Sequence, residues 1–253
     1  MKPHILITGA SSGIGEALAL EMASRGLAVG LIARRERELA SLCERIESQG
    51  GTSAWATADV TNLDNLLSAV QSIEAQLGPA SILVANAGIS GRSPASDPDL
   101  SRIKKVMDVN FTGAIHATMA VLPHMMARKS GHLVVVSSVA GFRGLPKSSA
   151  YSASKAAIST YWESLRVELQ PHGIAATTIN PGYIKTPLTD KNNHPMPFII
   201  TAEKAAKIMA NGILARRKVI TFPGRMRWVM RLMRFLPVWL FDRLMRQAGD
   251  TYR

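Results

Sequence analysis

A tyrosine and a lysine four residues apart are the side chains of this sequence best suited to acid–base chemistry. Tyr151 and Lys155 lie in a run whose apolar spacing, from residue 150 to 169, predicts a helix that carries both on one face. The pKa of a tyrosine hydroxyl is about 10 in a model peptide, and a nearby ammonium lowers it by favouring the phenolate. The pair can then give or take a proton, although this spacing is also typical of a solvated helix face.

A serine at the end of an apolar run gives this pair a context. The run from His132 to Ser138 is typical of a buried parallel strand, and the carboxyl ends of such strands are where ligands bind in open α/β sheets. A hydroxyl at that place can hydrogen-bond a substrate carbonyl. The neighbourhood of the pair therefore favours an active site over a solvated face.

Strand-like and helix-like patterns alternate along the whole chain. Strands are predicted at 4–8, 28–33, 53–58, 81–85, 132–138, 174–179 and 218–222. Helices are predicted at 13–24, 36–48, 62–77, 100–126, 150–169 and 202–215. The predicted fold is α/β, a single doubly wound domain over residues 1–224 with a seven-stranded parallel sheet and helices on both faces. Residues 225–253 are predicted to be a helical extension and not an independent domain.

A glycine-rich turn joins the first predicted strand to the first predicted helix. The segment from Thr8 to Gly15 reads TGASSGIG, with glycines at 9, 13 and 15. Glycine permits a tight turn and lets the backbone approach a pyrophosphate, which the N–H groups of the helix N-terminus would hold. Tight turns also need glycine for steric reasons alone, so this motif leaves both interpretations open.

Together these motifs resemble those of the short-chain dehydrogenase/reductase family. The matching segments are TGASSGIG at 8–15, NAG at 86–88, Asn110, Ser138 and YSASK at 151–155, and the match spans residues 4 to about 190. The resemblance implies a Rossmann-type fold and a nicotinamide cofactor. It gives Tyr151 the role of catalytic acid/base and Lys155 the roles of binding the ribose and tuning the tyrosine. It gives Ser138 the orientation of the substrate oxygen and Asn110 a place in the proton relay.

The same resemblance predicts the lining of a cofactor cleft. The predicted cofactor-binding residues are Gly9, Ser11, Ser12, Gly13, Ile14, Gly15, Arg34, Arg35, Asp59, Val60, Asn86, Ala87, Gly88, Tyr151, Lys155, Pro181, Gly182, Ile184 and Thr186. Some of these residues also have a purely structural interpretation. Asp59 would cap the next helix, and Pro181 and Gly182 would form a turn after a strand.

Two arginines predict that the cofactor is NADP and not NAD. The second predicted strand ends in Arg34 and Arg35, about twenty residues past the glycine turn. An acid at that place would bind the ribose of NAD, whereas an arginine would accept the 2′-phosphate of NADP. Arg34 is the better candidate. The alternative is that both arginines are surface charges on the following helix.

The predicted function is that of an NADP(H)-dependent oxidoreductase that interconverts a carbonyl and a secondary alcohol, with the cofactor carrying the hydride. The long segment from Thr186 to Thr201 is typical of a substrate-covering loop. Its Met196 and Phe198, with Phe142 and Leu145, would give an apolar wall and thus favour an apolar substrate. The resemblance also implies a homo-oligomer, either a dimer or a tetramer.

Two other functions remain open at this point. One is reduction of a 3-oxoacyl group on an acidic carrier protein, which a basic surface would attract. The other is a non-catalytic dinucleotide sensor or scaffold. The complete set of Asn110, Ser138, Tyr151 and Lys155 argues against the sensor, because a binder has no need of the tyrosine hydroxyl.

Charge and composition limit the kinds of partner and bound group that the sequence predicts. The net charge is +12, and residues 216–253 hold ten Lys or Arg against two acids. The remaining 215 residues show no nucleic-acid recognition motif, so no nucleic-acid partner is predicted. The single cysteine, Cys43, excludes an intramolecular disulfide, and no histidine spacing suits a metal, so no catalytic metal is predicted. The N-terminus lacks the pattern of a signal peptide, which predicts a cytoplasmic protein.

The segment 225–246 is predicted to be basic, amphipathic and helical. Met226, Val229, Met230 and Met233 share one stripe, and Pro237 is expected to divide the segment into two short helices. Its longest apolar run, 235–241, is far below the roughly 20 residues that span a bilayer. Two interpretations stay open: the stripe closes the substrate cleft or a subunit interface, or the segment makes peripheral contact with an anionic membrane.

Overall fold

The structure is a computed structural model that describes residues 4–190 and 196–250, with side chains described through residue 246. Its centre is a sheet of seven parallel strands in the order β3-β2-β1-β4-β5-β6-β9. These strands are β1 His4–Thr8, β2 Ala28–Ala33, β3 Thr52–Thr57, β4 Ile82–Ala85, β5 Gly131–Val136, β6 Ile174–Pro181 and β9 Val219–Phe222. A separate short pair consists of β7 Ile184–Lys185 and β8 Ile200–Thr201. The predicted seven-stranded parallel sheet is confirmed.

Helices cover both faces of this sheet. They are α1 Gly13–Ser24, α2 Glu36–Ser48, α3 Leu63–Leu77, α4 Leu100–Met107, α5 Gly113–Ala127, α6 Ser149–Leu169, α7 Ala202–Leu214, α8 Gly224–Phe235 and α9 Val238–Asp250. The apolar sides of α1, α2 and α7 share one core, and those of α3, α5 and α6 share the other. The predicted doubly wound arrangement is confirmed.

The sequence of β1 shows why the sheet is buried on both faces. Successive side chains of a strand point to opposite faces. Ile5 and Ile7 enter the core beneath α1, and Leu6 enters the core beneath α3 and α6. A strand that is apolar at every position is therefore stable only between two helical layers, which is the usual setting of a parallel sheet.

The order of the strands reverses at β1, and this reversal creates a crevice. From β1 the chain passes outward to β2 and β3, and then returns to place β4 on the other side of β1. Segments that follow β1, β4, β5 and β6 thus meet at one edge of the sheet. They bring Gly9, Asn86, Ser138 and Gly182 to that edge, where ligands bind in folds of this type.

The predicted helix over residues 100–126 is wrong in one respect. A π-helical turn, Asp108–Thr112, lies between α4 and α5. Asn110 is in this turn, and its amide exchanges two hydrogen bonds with the backbone of Ile89 in the loop after β4. The extra residue in the turn accompanies this inward contact, and π-turns of this kind occur frequently at functional sites.

The C-terminal segment forms the two predicted helices. α8 ends at Phe235 and α9 begins at Val238, so the division at Pro237 is confirmed. α8 packs on the loop after β5 through Met226 and Met230. Because of this packing, we propose that residues 225–253 extend the domain and do not form a second one. Among the described residues, no helix combines the length and the apolar character needed to cross a membrane.

The predicted covering loop is described only in part. Residues 191–195, within the predicted segment 186–201, lie outside the described residues. On either side of them, β7 and β8 pair through Ile184 with Ile200 and Lys185 with Thr201. The Thr201 hydroxyl then accepts a hydrogen bond from the Lys204 N–H and caps α7. The two ends of the segment are thereby fixed beside the crevice.

Candidate active site

The glycine turn forms one wall of the crevice. Gly9 and Gly13 have φ of +68° and +61°, in the left-handed region that favours glycine. A Cβ at Gly9 would lie 2.7 Å from the Ala87 Cα atom, so the turn is in close contact with the loop after β4. The Asn86 amide strengthens this contact by donating to the carbonyls of Thr8 and Gly9, at 2.9 Å and 3.2 Å. The two loops form one rigid unit.

The start of α1 is suited to an anion. Ser12 precedes this helix, and within the described residues its side chain makes no capping hydrogen bond. The first N–H groups of α1 thus keep their hydrogen-bonding capacity, and the helix dipole places positive charge beside them. Since glycines line the approach, the backbone can contact a phosphate directly. The turn therefore fits the pyrophosphate of a dinucleotide.

One cleft of about 470 Å³ brings the predicted residues together. Every residue predicted to bind the cofactor lines it, as do Ser138, Tyr151 and Lys155 of the predicted catalytic set. Asn110 is the exception, since it is buried behind the lining. The volume lies within the usual range for cofactor sites, about 300–1,000 Å³. The cleft is continuous from the two arginines through the glycine turn to Tyr151.

The two arginines make different contacts at one end of the cleft. Arg35 donates from Nη2 to the carbonyl and hydroxyl oxygens of Ser11, at 3.0 Å and 2.9 Å. Arg34 lies with its Nη1 atom 3.6 Å from the Asp59 carboxylate, in an exposed pair. Burial alone would raise the pKa of the Asp59 carboxyl, but hydrogen bonds from Thr61 and the charge of Arg34 keep this pKa below its usual value. This end of the cleft thus carries two guanidinium groups, with the carboxylates of Asp59 and Glu38 beside them.

Tyr151 lies in the first turn of α6 and is half-buried. It lines the same cleft as Ser138. Burial raises the pKa of Tyr151 above its ordinary value, because it disfavours the phenolate, and the nearby Ser138 hydroxyl opposes this effect only in part. The expected lowering of the Tyr151 pKa by Lys155 was therefore wrong for this structure, in which burial dominates.

Lys155 is one helical turn beyond the tyrosine and is 4% exposed. Its Nζ atom donates to the Val136 carbonyl at 2.9 Å and lies 5.8 Å from the centre of the Tyr151 ring. Burial lowers the pKa of Lys155 to about 8. The ammonium is thus held at the end of β5, between the tyrosine and the floor of the cleft.

Asn110 supports the site from behind. Its amide oxygen accepts from the Ile89 N–H at 2.8 Å, and its Nδ2 atom donates to the Ile89 carbonyl at 2.9 Å and to the Ser154 hydroxyl at 3.0 Å. Ser154 in turn donates to the Tyr151 carbonyl at 2.8 Å. Asn110 is therefore a positioning residue in this structure, since it joins the loop after β4 to the helix that carries Tyr151.

Several residues that the sequence analysis missed also shape the site. The Ser137 hydroxyl donates to the Lys155 carbonyl at 2.8 Å. A Cβ at Gly141 would lie 2.8 Å from the Lys155 carbonyl carbon, so only glycine allows this turn to approach α6. Lys105 lines the cleft near Arg34 and adds positive charge there. Neither Gly141 nor Lys105 lies in one of the recognised motifs, and their roles depend on tertiary contacts.

The apolar wall differs from the predicted one. Val139 packs with Met226 and Met230 of α8, and Phe142, Tyr183 and Met233 pack around them. Phe142 was predicted in this wall and lies there. Phe198 was predicted there too, but its side chain is 43% exposed and lies 6.0 Å from the Arg225 guanidinium. The apolar cluster that follows Ser138 therefore depends on α8 more than on the loop 186–201.

Arg143 fixes α8 against this wall and was not identified from the sequence. Its Nη1 atom donates to the carbonyls of Met233, Arg234 and Leu236, at 3.3 Å, 3.0 Å and 3.2 Å. These carbonyls lie at the C-terminal end of α8, where that of Met233 also accepts from the Leu236 N–H. The same guanidinium stacks 4.3 Å from the ring centre of Phe241 in α9. One side chain thus connects both C-terminal helices to the loop after β5.

Comparisons with known proteins agree with this geometry. The family model described as short chain dehydrogenase matches residues 3–197. An uncharacterised oxidoreductase of Myxococcus xanthus strain DK1622 is 43% identical over 242 residues, which are 96% of each chain. A short chain dehydrogenase/reductase from Burkholderia phymatum in complex with NAD has a TM-score of 0.85 at 23% identity and 92% coverage of both chains, and this match shows the fold.

A second solved structure is a variant of actinorhodin polyketide ketoreductase with NADPH. It has a TM-score of 0.82 at 25% identity, over 89% of this chain and 97% of the ketoreductase. The structural neighbours thus hold either nicotinamide dinucleotide, which agrees with a cleft that fits a pyrophosphate at α1. The match of the family model over most of the chain, together with this site, shows that the chain belongs to the short-chain dehydrogenase family of oxidoreductases.

Proposed function

We propose that this protein is an NADP(H)-dependent oxidoreductase that interconverts a carbonyl and a secondary alcohol. The observation that carries the proposal is that Tyr151, Ser138 and Lys155 line one cleft that is continuous with the glycine turn. Because both hydroxyl-bearing residues line this cleft, one substrate oxygen can contact both of them, as proton transfer requires. The bound nicotinamide would supply the hydride to the substrate carbon or accept it from there.

Each polar residue of the site has a role in the proton transfer. Ser138 donates a hydrogen bond to the substrate oxygen and orients it. In reduction, Tyr151 gives its hydroxyl proton to that oxygen as negative charge develops there, and the product is the alcohol. Lys155, held by the Val136 carbonyl, places a positive charge next to the resulting phenolate and lies where it can contact the ribose.

The protonation state of Tyr151 suits the acid role that carbonyl reduction requires. A hydroxyl whose pKa lies above its ordinary value is protonated at neutral pH and can act as an acid at once. The opposite reaction needs the phenolate, which is scarce near pH 7. The buried apolar cluster of Val139, Met226 and Met230 follows Ser138 in the chain and meets Gly182 of the cleft, which supports an apolar carbonyl compound as the substrate.

Replacing the tyrosine tests the chemistry. Tyr151→Phe removes the acid and should lower kcat by about 10²–10⁴-fold. Binding of the reduced dinucleotide, followed by its fluorescence, should stay close to that of the parent. Tyr161→Phe is a matched control on the same helix, since Tyr161 packs edge-on against Phe111 at 6.0 Å and lies away from the cleft. If Tyr151→Phe and Tyr161→Phe are equally active, Tyr151 has no acid–base role.

The preference for NADP depends on the charge at the end of the cleft. Arg34, Arg35 and Lys105 surround the place where a 2′-phosphate would lie. Replacing Arg34 or Arg35 by Asp should shift the ratio of kcat/KM for NADPH over NADH by about 10- to 100-fold, because charge-assisted hydrogen bonds contribute about 1.5–3 kcal/mol each. Arg37→Asp is the control, since Arg37 is exposed on α2 outside the cleft. An unchanged ratio in both arginine variants would contradict the assignment to NADP.

A second candidate substrate is a 3-oxoacyl group on an acidic carrier protein. The exposed arginines of α8 lie on the helix that forms the apolar wall, and this favours an acidic carrier. Comparing kcat/KM for a carrier-bound 3-oxoacyl thioester with that for the same thioester on a small thiol separates the two. A carrier substrate requires a large advantage for the carrier-bound form that disappears at high salt.

The non-catalytic alternative has its own outcome in these assays. A sensor would bind the dinucleotide and show no turnover with any member of a broad panel of carbonyl compounds and alcohols. We also propose a homo-oligomer, as the family resemblance implies. Light scattering of the purified chain, with and without dinucleotide, measures the number of subunits, and a monomer would contradict this part of the proposal.

A further inference from the structure

The outward surface of the C-terminal helices is unusually apolar. Seven of the sixteen exposed large apolar side chains among the described residues lie between positions 228 and 244. These seven are Trp228, Val229, Leu232, Phe235, Val238, Trp239 and Leu244. Phe235 is 81% exposed and Trp228 is 63% exposed. Single exposed apolar residues are ordinary, but a cluster of this kind marks a contact surface.

The core does not need this cluster, because α8 has two apolar stripes. Met226, Met230 and Met233 follow the spacing i, i+4, i+7 and face the substrate wall. Trp228, Leu232 and Phe235 follow the same spacing, two residues further along, and face solvent. The first stripe already attaches α8 to the domain. The second stripe, which we call the outer stripe, is left for a partner.

Arginines accompany the outer stripe. α8 and the first part of α9 carry Arg225, Arg227, Arg231, Arg234, Arg243 and Arg246, against the single acid Asp242. The Arg227 guanidinium lies 5.3 Å from the ring centre of Trp228. Long basic side chains beside tryptophan and phenylalanine are typical of helices that lie at a membrane interface, where the stems cover apolar surface and the charges reach the headgroups.

The positive charge around the outer stripe distinguishes between two partners, a second copy of the chain and an anionic membrane. In a symmetric contact between two copies, the same patch meets itself, so these arginines would approach one another across the interface. Like charges in such a contact oppose association. An anionic phospholipid surface instead attracts the arginines and accepts tryptophan and phenylalanine among its headgroups. The charge and the apolar cluster therefore favour the same partner.

We propose that the outer stripe of α8 and the start of α9 dock on an anionic phospholipid surface. Arg143 holds both helices against the loop after β5, so the surface is formed before the contact. α8 would then lie in the plane of the interface, with its methionine stripe facing the active site. The apolar wall of the site would be about 10 Å, one helix diameter, from the membrane.

The test uses flotation of the full chain with vesicles of phosphatidylcholine alone and of phosphatidylcholine with phosphatidylglycerol. An apolar variant carries Trp228→Ser, Leu232→Ser and Phe235→Ser, and a charge variant carries Arg231→Gln, Arg234→Gln and Arg243→Gln. The replaced residues are all exposed, which leaves the packing of the domain intact. Matched controls are Leu100→Ser with Val167→Ser, and Lys204→Gln with Lys207→Gln, at exposed positions on other helices.

The parent should bind the anionic vesicles and not the neutral ones. Binding should be lost between about 0.1 M and 1 M salt, where the Debye length falls from about 10 Å to 3 Å. Each arginine near the surface contributes roughly fivefold, so the charge variant should bind about 100-fold more weakly. The apolar variant should also lose binding, and both controls should bind like the parent. Each variant should retain the parent's dinucleotide affinity, which shows that it is folded.

Other outcomes overturn the proposal. Absence of parent binding to anionic vesicles at low salt excludes a lipid partner. Equal binding by the parent and both variants shows that another surface holds the membrane. If light scattering without vesicles shows that the apolar variant has fewer subunits than the parent, while vesicle binding does not change, the outer stripe is an interface between copies. None of these results depends on whether the protein turns over a substrate, so they are separate from the tests of the proposed function.

Discussion

Replacement of the buried lysine should make the folded protein more stable at neutral pH. Lys155 is 4% exposed, and burial lowers its pKa from 10.5 to about 8. At pH 7 the ammonium is thus charged in both states, and burying it costs about 3 kcal/mol, at 1.36 kcal/mol per pH unit of difference. Lys155→Met removes this cost and also loses the hydrogen bond to the Val136 carbonyl, which contributes about 1–2 kcal/mol. The variant should gain about 1–2 kcal/mol at pH 7.

The dependence on pH gives the sharper test. Between about pH 8 and 10.5 the unfolded chain binds a proton at this lysine that the folded chain does not, so the parent becomes more stable as the pH rises. The variant has no such group, so its advantage should fall through this window, reach zero between about pH 9 and 10, and reverse above that. Urea unfolding of both proteins at pH 6.5 to 10 measures the difference. A constant difference in the free energy of unfolding across this range would show that burial does not lower the pKa of Lys155, and would contradict this prediction.

Three further predictions follow from the site. Because the pKa of Tyr151 is raised, log(kcat/KM) for alcohol oxidation should rise by about one per pH unit from pH 7 to 9. The value for carbonyl reduction should stay constant over the same range. An oxidation rate that does not change with pH would contradict the role of the phenolate. Gly141→Ala places a methyl group against α6 and should lower the free energy of unfolding by about 1–3 kcal/mol, measured in urea. The control is Gly144→Ala, because a Cβ at Gly144 would meet open space. Arg143→Ala removes the side chain that binds the end of α8 and should increase the rate of proteolysis between α8 and α9. Mass spectrometry of the fragments locates the cleavage site. An unchanged cleavage rate would show that Arg143 does not hold these helices.

Most of the fold could be predicted because its signals are local. Continuous apolar runs such as that of β1 predict strands covered on both faces, and alternation with helical spacing predicts the parallel crossovers. Pro237 predicts the break between α8 and α9, because proline interrupts a helix. The π-turn around Asn110 is different. Its cause is a contact with Ile89, which is far away in sequence and invisible to local spacing.

The site also has features that the local sequence predicts and features that it does not. The glycine turn and the run from Tyr151 to Lys155 are short motifs, and the structure brings both to one cleft. The direction of the Tyr151 pKa could not be predicted, because it depends on how deeply the first turn of α6 is buried and not on the identity of its neighbour. The contact of Phe198 with Arg225 could not be predicted for a similar reason, since the spacing of a loop does not fix the direction of its side chains.

Arg143 connects α8 to the loop that carries Ser138. Ser138 and Arg143 lie in the same loop, and the guanidinium of Arg143 binds the carbonyls that end α8. α8 is thus attached to that loop at its end, and along its inner face through Met226 and Met230. The apolar wall of the site and the proposed membrane contact are opposite sides of a single rigid helix, which fits an apolar substrate that reaches the site from a lipid surface.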